Sequence, residues 1–363
     1  MKEKYYDLKP ILSKNADYNI IFGERSNGKT YALLKYLIEQ YAKTEKQGAI
    51  VRRWKEDFIG KRGASMFDAL VANNEVSKIT GGIWTDVYYY SGRWYLCRYD
   101  DEGHRTQDEK PLCYGFSIAS MEHDKGTSYP NVTTIVFDEF LTRQYYLPDE
   151  FVLFLNTVST ITRHKKDVKI FMLGNTVNKY CPYFNEMGLK HVKDMTPGTI
   201  DVYTYGDSSL TVAVEYVKPN KAGKESDKYF AFDNPKLQMI TGGAWEIGVY
   251  PHCPCKIRPA DILYRYYIVF DGDPLTCEII SHDGLYFTFI YRKTTELQER
   301  DTDLIYSTEF DPRPNFRRKI TVPRSNLEKK IVEFFIKDKV FYDSNETGEI
   351  VRNYLQWCKK GGD

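Results

Sequence analysis

Residues Gly23-Glu24-Arg25-Ser26-Asn27-Gly28-Lys29-Thr30 match G-x-x-x-x-G-K-[ST] at every fixed position. That spacing lets the chain wrap a phosphate in backbone N–H groups, and side chains at Gly23 and Gly28 would block the approach. In such a loop Lys29 supplies a point charge to the β- and γ-phosphates, and the Thr30 hydroxyl reaches Mg²⁺. Glu24, Arg25, Ser26 and Asn27 complete the cradle. ATP with Mg²⁺ is the expected ligand.

A second signal lies at Thr133-Thr134-Ile135-Val136-Phe137-Asp138-Glu139-Phe140, a buried-strand run ending in two carboxylates. Carboxylates past the C-terminal end of a strand stand where α/β sites form. Asp138 would hold Mg²⁺ through its water shell, and Glu139 would polarise a water. A base for water makes the chemistry hydrolysis rather than transfer. Lys169 to Thr176 is another strand, and it ends at Asn175. In P-loop hydrolases with an inserted central strand, a polar residue there senses the γ-phosphate; a turn asparagine is the alternative. Hydrolysis also wants a cation at the γ-phosphate, often from a neighbouring subunit. Arg163, Arg143 and Lys125 are candidates that position alone does not rank.

The elements that would hold these residues follow from periodicity. Asn19 to Phe22 is apolar, and Thr30 to Ala42 carries apolar residues at 33, 34, 37, 38 and 41, a helical stripe. Ala49–Arg52, Gly115–Ala119, Thr134–Phe137 and Lys169–Leu173 read as further strands. Ile83–Tyr90 and Arg93–Tyr99 flank Ser91-Gly92 as a hairpin. Phe151, Phe154, Leu155, Val158 and Ile161 line one helical face, with Asp149 at its N-cap. Alternating strands and helices give a mostly parallel α/β sheet; with the phosphate loop and the Asp138-Glu139 strand end, the expected class is an α/β P-loop NTPase of the additional-strand, catalytic-glutamate type.

Lys218 to Lys228 is polar and charged and reads as a linker or loop. Beyond it, Tyr264–Phe270, Cys277–His282 and Leu285–Arg292 read as antiparallel strands, and Glu346–Lys359 as a helix started by Asp343-Ser344. The expected domains are 1–200 for the ATPase, 201–238 for a linker or lid, and 239–363 for a smaller α+β unit. From Arg313 to Lys339 nine Lys/Arg stand against three Asp/Glu, a local net charge of +6. Such a segment suits phosphate contacts or a solvated surface.

The whole chain has 363 residues and a net charge of +1, which excludes a globally basic DNA-coating protein but not a local basic groove. No apolar run is long enough for a membrane helix, and Met1 to Lys14 lacks a signal-peptide core. Seven cysteines, an odd number, point to a reducing cytoplasm rather than a disulfide framework. His252-Cys253-Pro254-Cys255 has no second ligand pair to complete a zinc site.

Tyr129-Pro130-Asn131-Val132 through Phe140 closely resembles the Walker B block of the DNA-packaging (encapsidation) ATPases of small phi-29-like tailed phages. Arg25 in the phosphate loop, Val51-Arg52-Arg53, the Tyr88–Arg98 hairpin and Gly174-Asn175 match that family too. The resemblance covers nearly all of the first 200 residues and continues weakly through Ile268–Ile290 and Phe341-Tyr342-Asp343. It implies a terminase-like motor that drives double-stranded DNA into a prohead through the portal. It implies a homomeric ring, typically a pentamer, docked on the portal vertex through a packaging RNA or equivalent adaptor, in the host-cell cytoplasm. It implies Arg163 as the trans-acting arginine finger and Lys125 as a second trans contact. The family's C-terminal domain is RNase H-like and generally lacks catalytic acids. Here Asp271 and Asp273 are candidates for a vestigial nuclease site, although Asp271-Gly272 reads more naturally as a turn. Two other readings stay open: a terminase whose nuclease is active, and a nucleotide-gated adaptor that never hydrolyses.

Overall fold

Tyr18–Gly23, the apolar run that leads into the phosphate loop, forms β1, and every residue after Tyr18 in it is buried. In the computed structural model, residues 6–120, 127–143, 146–163, 165–219, 245, 247–253, 255–295, 297 and 302–360 are described. A short helix α1 (Lys9–Leu12) precedes β1, and α2 (Lys29–Thr44) follows it. Then come β2 (Gln47–Arg52) and three one-turn helices, α3 (Lys61–Ala64), α4 (Asp68–Ala72) and α5 (Glu75–Ile79). The expected hairpin is β3 (Asp86–Tyr90) and β4 (Arg93–Tyr99), followed by β5 (Arg105–Gln107) and β6 (Cys113–Ser117). β7 (Val132–Asp138), α6 (Glu150–Thr162), β8 (Lys169–Asn175), α7 (Pro182–Glu186), β9 (Thr199–Tyr205) and β10 (Leu210–Tyr216) complete this part.

These strands make one sheet in the order β3-β4-β6-β2-β7-β8-β1-β10-β9, with β5 on β4. The six from β6 to β10 run parallel. β3, β4 and β5 on one side and β9 on the other are antiparallel, so the sheet is mixed. Parallel strands bury both faces. Phe22, Val51, Phe137 and Met172 face the layer that contains Phe154 of α6 and Tyr183 of α7. Ile21, Ile50, Val136 and Phe171 face Leu33, Leu34, Leu37 and Ile38 of α2. One physical result matters for chemistry: Gly23, Arg52, Asp138 and Asn175 all emerge at the same edge.

The domain boundaries differ from the expectation. The first compact unit runs to Glu246, and the second is Ile247–Asp363. The segment read as a linker from residue 201 holds most of β9 and all of β10, because buried Val212, Ala213 and Val214 pair with β1 and extend the sheet. The polar stretch Lys218–Lys228 lies past β10 and, from residue 220, outside the described residues.

The second unit holds β11 (Ile262–Phe270), β12 (Asp273–His282), β13 (Leu285–Arg292), β14 (Ile305–Ser307) and β15 (Phe316–Arg317). Then follow α8 (Asn326–Ile336), β16 (Val340–Tyr342) and α9 (Asn345–Lys360). The sheet order is β15-β14-β11-β12-β13-β16. β11, β12 and β13 are antiparallel, β14 is parallel to β11, and β15 is parallel to β14. Asp271 and Gly272, at φ 52° and 81°, form the tight turn between β11 and β12. Among the described residues no helix is long and apolar enough to cross a membrane.

Candidate nucleotide site

The phosphate loop leaves β1 at Gly23, where a Cβ would sit 3.1 Å from Val217 Cβ and 3.3 Å from the Val217 carbonyl oxygen. Ser26 (φ 60°) and Gly28 (φ 86°) turn the chain through the left-handed region before α2 begins. The amide of Ala32 donates to Gly28 O at 2.9 Å, the first turn of that helix. The positive end of the helix dipole therefore faces the loop.

Lys29 is buried inside this curve. Its Nζ donates to Glu24 O (2.7 Å), Asn27 Oδ1 (3.0 Å) and Asn175 Oδ1 (3.3 Å). Burial lowers its pKa to about 8, against the upward pull of Asp138 and Glu24. Asn27 Nδ2, by contrast, is buried with no partner, a donor left over for a ligand. Tyr6 ties the loop from outside. Its amide donates to Asn27 O (3.1 Å), and its hydroxyl donates to Glu215 Oε2 (2.5 Å) on β10.

Across the sheet, Thr30 Oγ1 donates to Asp138 Oδ1 at 3.1 Å. The other Asp138 oxygen takes a 2.5 Å ion pair from Arg52 Nη2, and Arg52 Nη1 lies 3.4 Å from Glu139 Oε2. Glu139 adopts φ 61°, which swings its side chain out of the strand line, and it is 64% exposed. Its loop is fastened to β8. Phe140 N–H donates to Leu173 O (3.0 Å), and Leu141 packs where a Cβ on Gly174 would come within 2.7 Å. A cavity of about 420 Å³ opens beside Thr30 and Arg52, walled by Asp57, Arg62, Ser65 and Met66.

The edge thus gathers Gly23, Glu24, Arg25, Ser26, Asn27, Gly28, Lys29 and Thr30 with Asp138, Glu139 and Asn175. A hydroxyl beside a carboxylate is the donor set Mg²⁺ takes when phosphates complete its shell, so these residues fit that ion.

Arg163 is elsewhere. It caps the C-terminus of α6 in the left-handed region, with its side chain exposed. Two residues on, Lys165 Nζ bonds the carbonyls of Tyr129 (2.8 Å) and Val132 (2.6 Å), at the start of β7. Asp138 ends the same strand six residues later, roughly 20 Å away. Lys125 lies outside the described residues. Asp271 sits in its hairpin turn, and Asp273 pairs with Arg292. Cys253 Sγ and Cys255 Sγ are 3.9 Å apart. Among the described residues no group of three or more His, Cys, Asp or Glu could hold a metal.

Sequence reasoning gave Arg52 and Arg53 no role and left Glu150 out. Arg53 grips Glu150 with two 2.8 Å bonds and donates to Phe140 O (2.8 Å) and Glu139 O (3.3 Å). Glu150 also accepts Leu147 N–H (2.7 Å) and the Tyr183 hydroxyl (2.9 Å). The available signal was two cations closing a buried strand at the edge where Asp138 and Glu139 end theirs.

The sequence model of the family described as Podovirus DNA encapsidation protein (Gp16) matches residues 1–204. The DNA packaging protein of Bacillus phage phi29 is 29% identical over 188 residues, 50% of each chain. That of Bacillus phage B103 is 28% identical over 182 residues, 49% of this chain and 50% of the relative. The chain spans about half the length of these curated relatives. Two solved structures share the fold along almost all of the chain. The Phi-28 gp11 DNA packaging motor has TM-score 0.54 and 17% identity, and covers 100% of both chains. A chain of the bacteriophage Phi-29 viral genome packaging motor assembly has TM-score 0.56 and 20% identity, over 98% of this chain and 99% of that one.

Proposed function

Since the chain belongs to the Podovirus DNA encapsidation protein (Gp16) family, we propose that it is the ATP-hydrolysing subunit of a viral genome-packaging motor. It drives double-stranded DNA into a prohead through the portal. The observation that carries this reading is the convergence of Lys29, Thr30, Asp138, Glu139 and Asn175 at one sheet edge. Lys29 receives the β- and γ-phosphates, trading its contacts with Glu24, Asn27 and Asn175 for phosphate oxygens. Thr30 and Asp138 hold Mg²⁺, which when bound neutralises charge on those oxygens. Glu139, exposed beside them, orients and polarises the attacking water. Asn175 reads whether the γ-phosphate is present.

β8 lies between β1 and β7, which supports the additional-strand, catalytic-glutamate type. Arg163 stands at the opposite edge from its own phosphate loop, so it serves as the finger for a neighbouring copy in a ring. That supports a homo-oligomer at the portal vertex, assembled in the host-cell cytoplasm, with packaging RNA or an equivalent adaptor between ring and prohead. The strand order β13-β12-β11-β14-β15 supports an RNase H-like second unit. The basic segment Arg313–Lys339 gives that unit phosphate contacts. With Asp271 in a turn and Asp273 paired to Arg292, binding is favoured over cleavage.

The test is ATP turnover with and without DNA and matched proheads. Turnover rises when both are present and falls steeply with salt. Lys29→Ala loses nucleotide binding. Glu139→Gln binds ATP as the parent does but turns over roughly 10²–10⁴-fold more slowly. Parental turnover in Glu139→Gln would remove the hydrolytic reading.

A further inference from the structure

The cavity beside Thr30 is walled mostly by residues that the nucleotide cradle does not use, and that wall is firmly built. The segment after β2 supplies Asp57, Arg62, Ser65 and Met66, while Thr30 comes from α2 and Arg52 from β2. The β3–β4 hairpin fastens the segment. Trp94 Nε1 donates to Gly63 O at 2.9 Å, and the Tyr89 hydroxyl donates to Phe58 O. Phe67 is buried with its ring 6.0 Å from that of Trp94. Arg62 and Ser65 lie within two residues of Gly63, so the hairpin sets where they stand.

Donors on this wall are unspent. The Arg62 guanidinium makes no hydrogen bond or ion pair among the described residues. Arg52 is paired through both Nη atoms, yet its Nε is buried with no partner. The Ser65 hydroxyl has one long contact among the described residues, 3.5 Å to Arg62 O. A buried donor without an acceptor is costly unless a ligand or water answers it. Two guanidinium groups and a hydroxyl beside the single Asp57 carboxylate form a donor set that takes a tetrahedral oxyanion. The volume, about 420 Å³, lies at the low end of the ~300–1,000 Å³ of small-ligand clefts, room for a hydrated anion. Thr30 belongs to both spaces: its hydroxyl meets Asp138 in the nucleotide site, and the residue walls the cavity. We propose that this cavity is a holding site for orthophosphate, with Arg62 and Ser65 as its ligands, where the product of hydrolysis rests after leaving Lys29. The proposal rests on the hydrolytic reading above and adds the product's place on its way out.

The probe is inorganic phosphate, titrated into the full chain saturated with ADP and Mg²⁺ and followed by phosphorus NMR. Arg62→Gln removes the charge, and Ser65→Leu fills the space. Both positions are exposed, so the fold stands and melting temperature and ADP affinity hold. Phosphate affinity falls by at least about tenfold in each variant, and Arg62→Lys recovers part of it. In motors supplied with DNA and proheads, added phosphate slows the parent, and Arg62→Gln needs about tenfold more phosphate for the same slowing. Parental phosphate affinity in both variants overturns the proposal, as does an ADP-loaded parent that binds no phosphate. Phosphate that a non-hydrolysed ATP analogue expels, but that neither substitution weakens, lies in the γ position and also overturns it. Duplex DNA that displaces the phosphate would make the pocket a backbone contact and remove the product role. Absent turnover, with phosphate binding still dependent on Arg62, removes the hydrolytic premise and leaves the oxyanion pocket standing. Turnover with phosphate binding indifferent to Arg62 keeps the motor and removes the pocket.

Discussion

Arg52 ends β2 and Arg53 follows it, and the two serve opposite purposes on opposite sides of the sheet. Arg53 meets a carboxylate whose acceptors are filled: Glu150 takes two bonds from Arg53, one from Leu147 N–H and one from the Tyr183 hydroxyl. Arg52 meets two carboxylates with capacity to spare. Asp138 shares itself between Thr30 and Arg52, and Glu139 is held by a 3.4 Å contact while largely exposed. A saturated buried ion pair is scaffold, and an unsaturated one at an open edge can exchange partners. The scaffold pair still touches the chemistry, because Arg53 also holds the carbonyls of Glu139 and Phe140.

Breaking the scaffold pair has the largest expected effect on stability. Arg53→Met leaves the buried Glu150 carboxyl without its cation, and urea unfolding should show a loss of about 3–5 kcal/mol. Arg52→Ala sharpens the contrast. Asp138 keeps Thr30 and its edge position, so the stability loss is nearer 1–2 kcal/mol, while ATP turnover falls clearly at parental nucleotide affinity. Equal stability losses in the two variants would erase the distinction. The smallest effect is a pH dependence at Lys29. Its folded pKa is depressed to about 8, so between pH 8 and its unfolded value the unfolded chain binds more protons. Stability of the nucleotide-free protein therefore rises with pH across that window. A triphosphate needs the ammonium form, so nucleotide affinity falls, by up to about tenfold per unit above pH 8. Calorimetric titration across pH 7–10 checks the sign, and an affinity that rises with pH would contradict it.

The parts of the site that were legible beforehand are those written in local spacing. The loop from Gly23 to Thr30, the helix behind it and the Asp138-Glu139 strand end depend on residues within a dozen positions of one another. Arg52 and Asp138 are 86 positions apart and meet because β2 lies beside β7, an adjacency that no local period encodes. β9 and β10 escaped notice for a related reason. They follow a stretch of short helices and turns, and their place was settled by the open edge of β1. Asp149 does stand at the α6 N-cap, but at φ 49° its side chain makes no capping bond, and Glu150 takes the Leu147 amide instead. A short acid at a helix start looks the same in sequence whichever amide it serves.

Gly174 has a consequence for how the two strand ends beside the Gly23–Thr30 loop behave. With Leu141 wedged against its Cα and Phe140 bonded to Leu173, the Glu139 loop and the Asn175 strand end are fastened shoulder to shoulder. A side chain at Gly174 would force Leu141 to repack and so disturb both strand ends at once. The Glu139 carboxylate and the Asn175 amide are in effect two teeth on a single jaw.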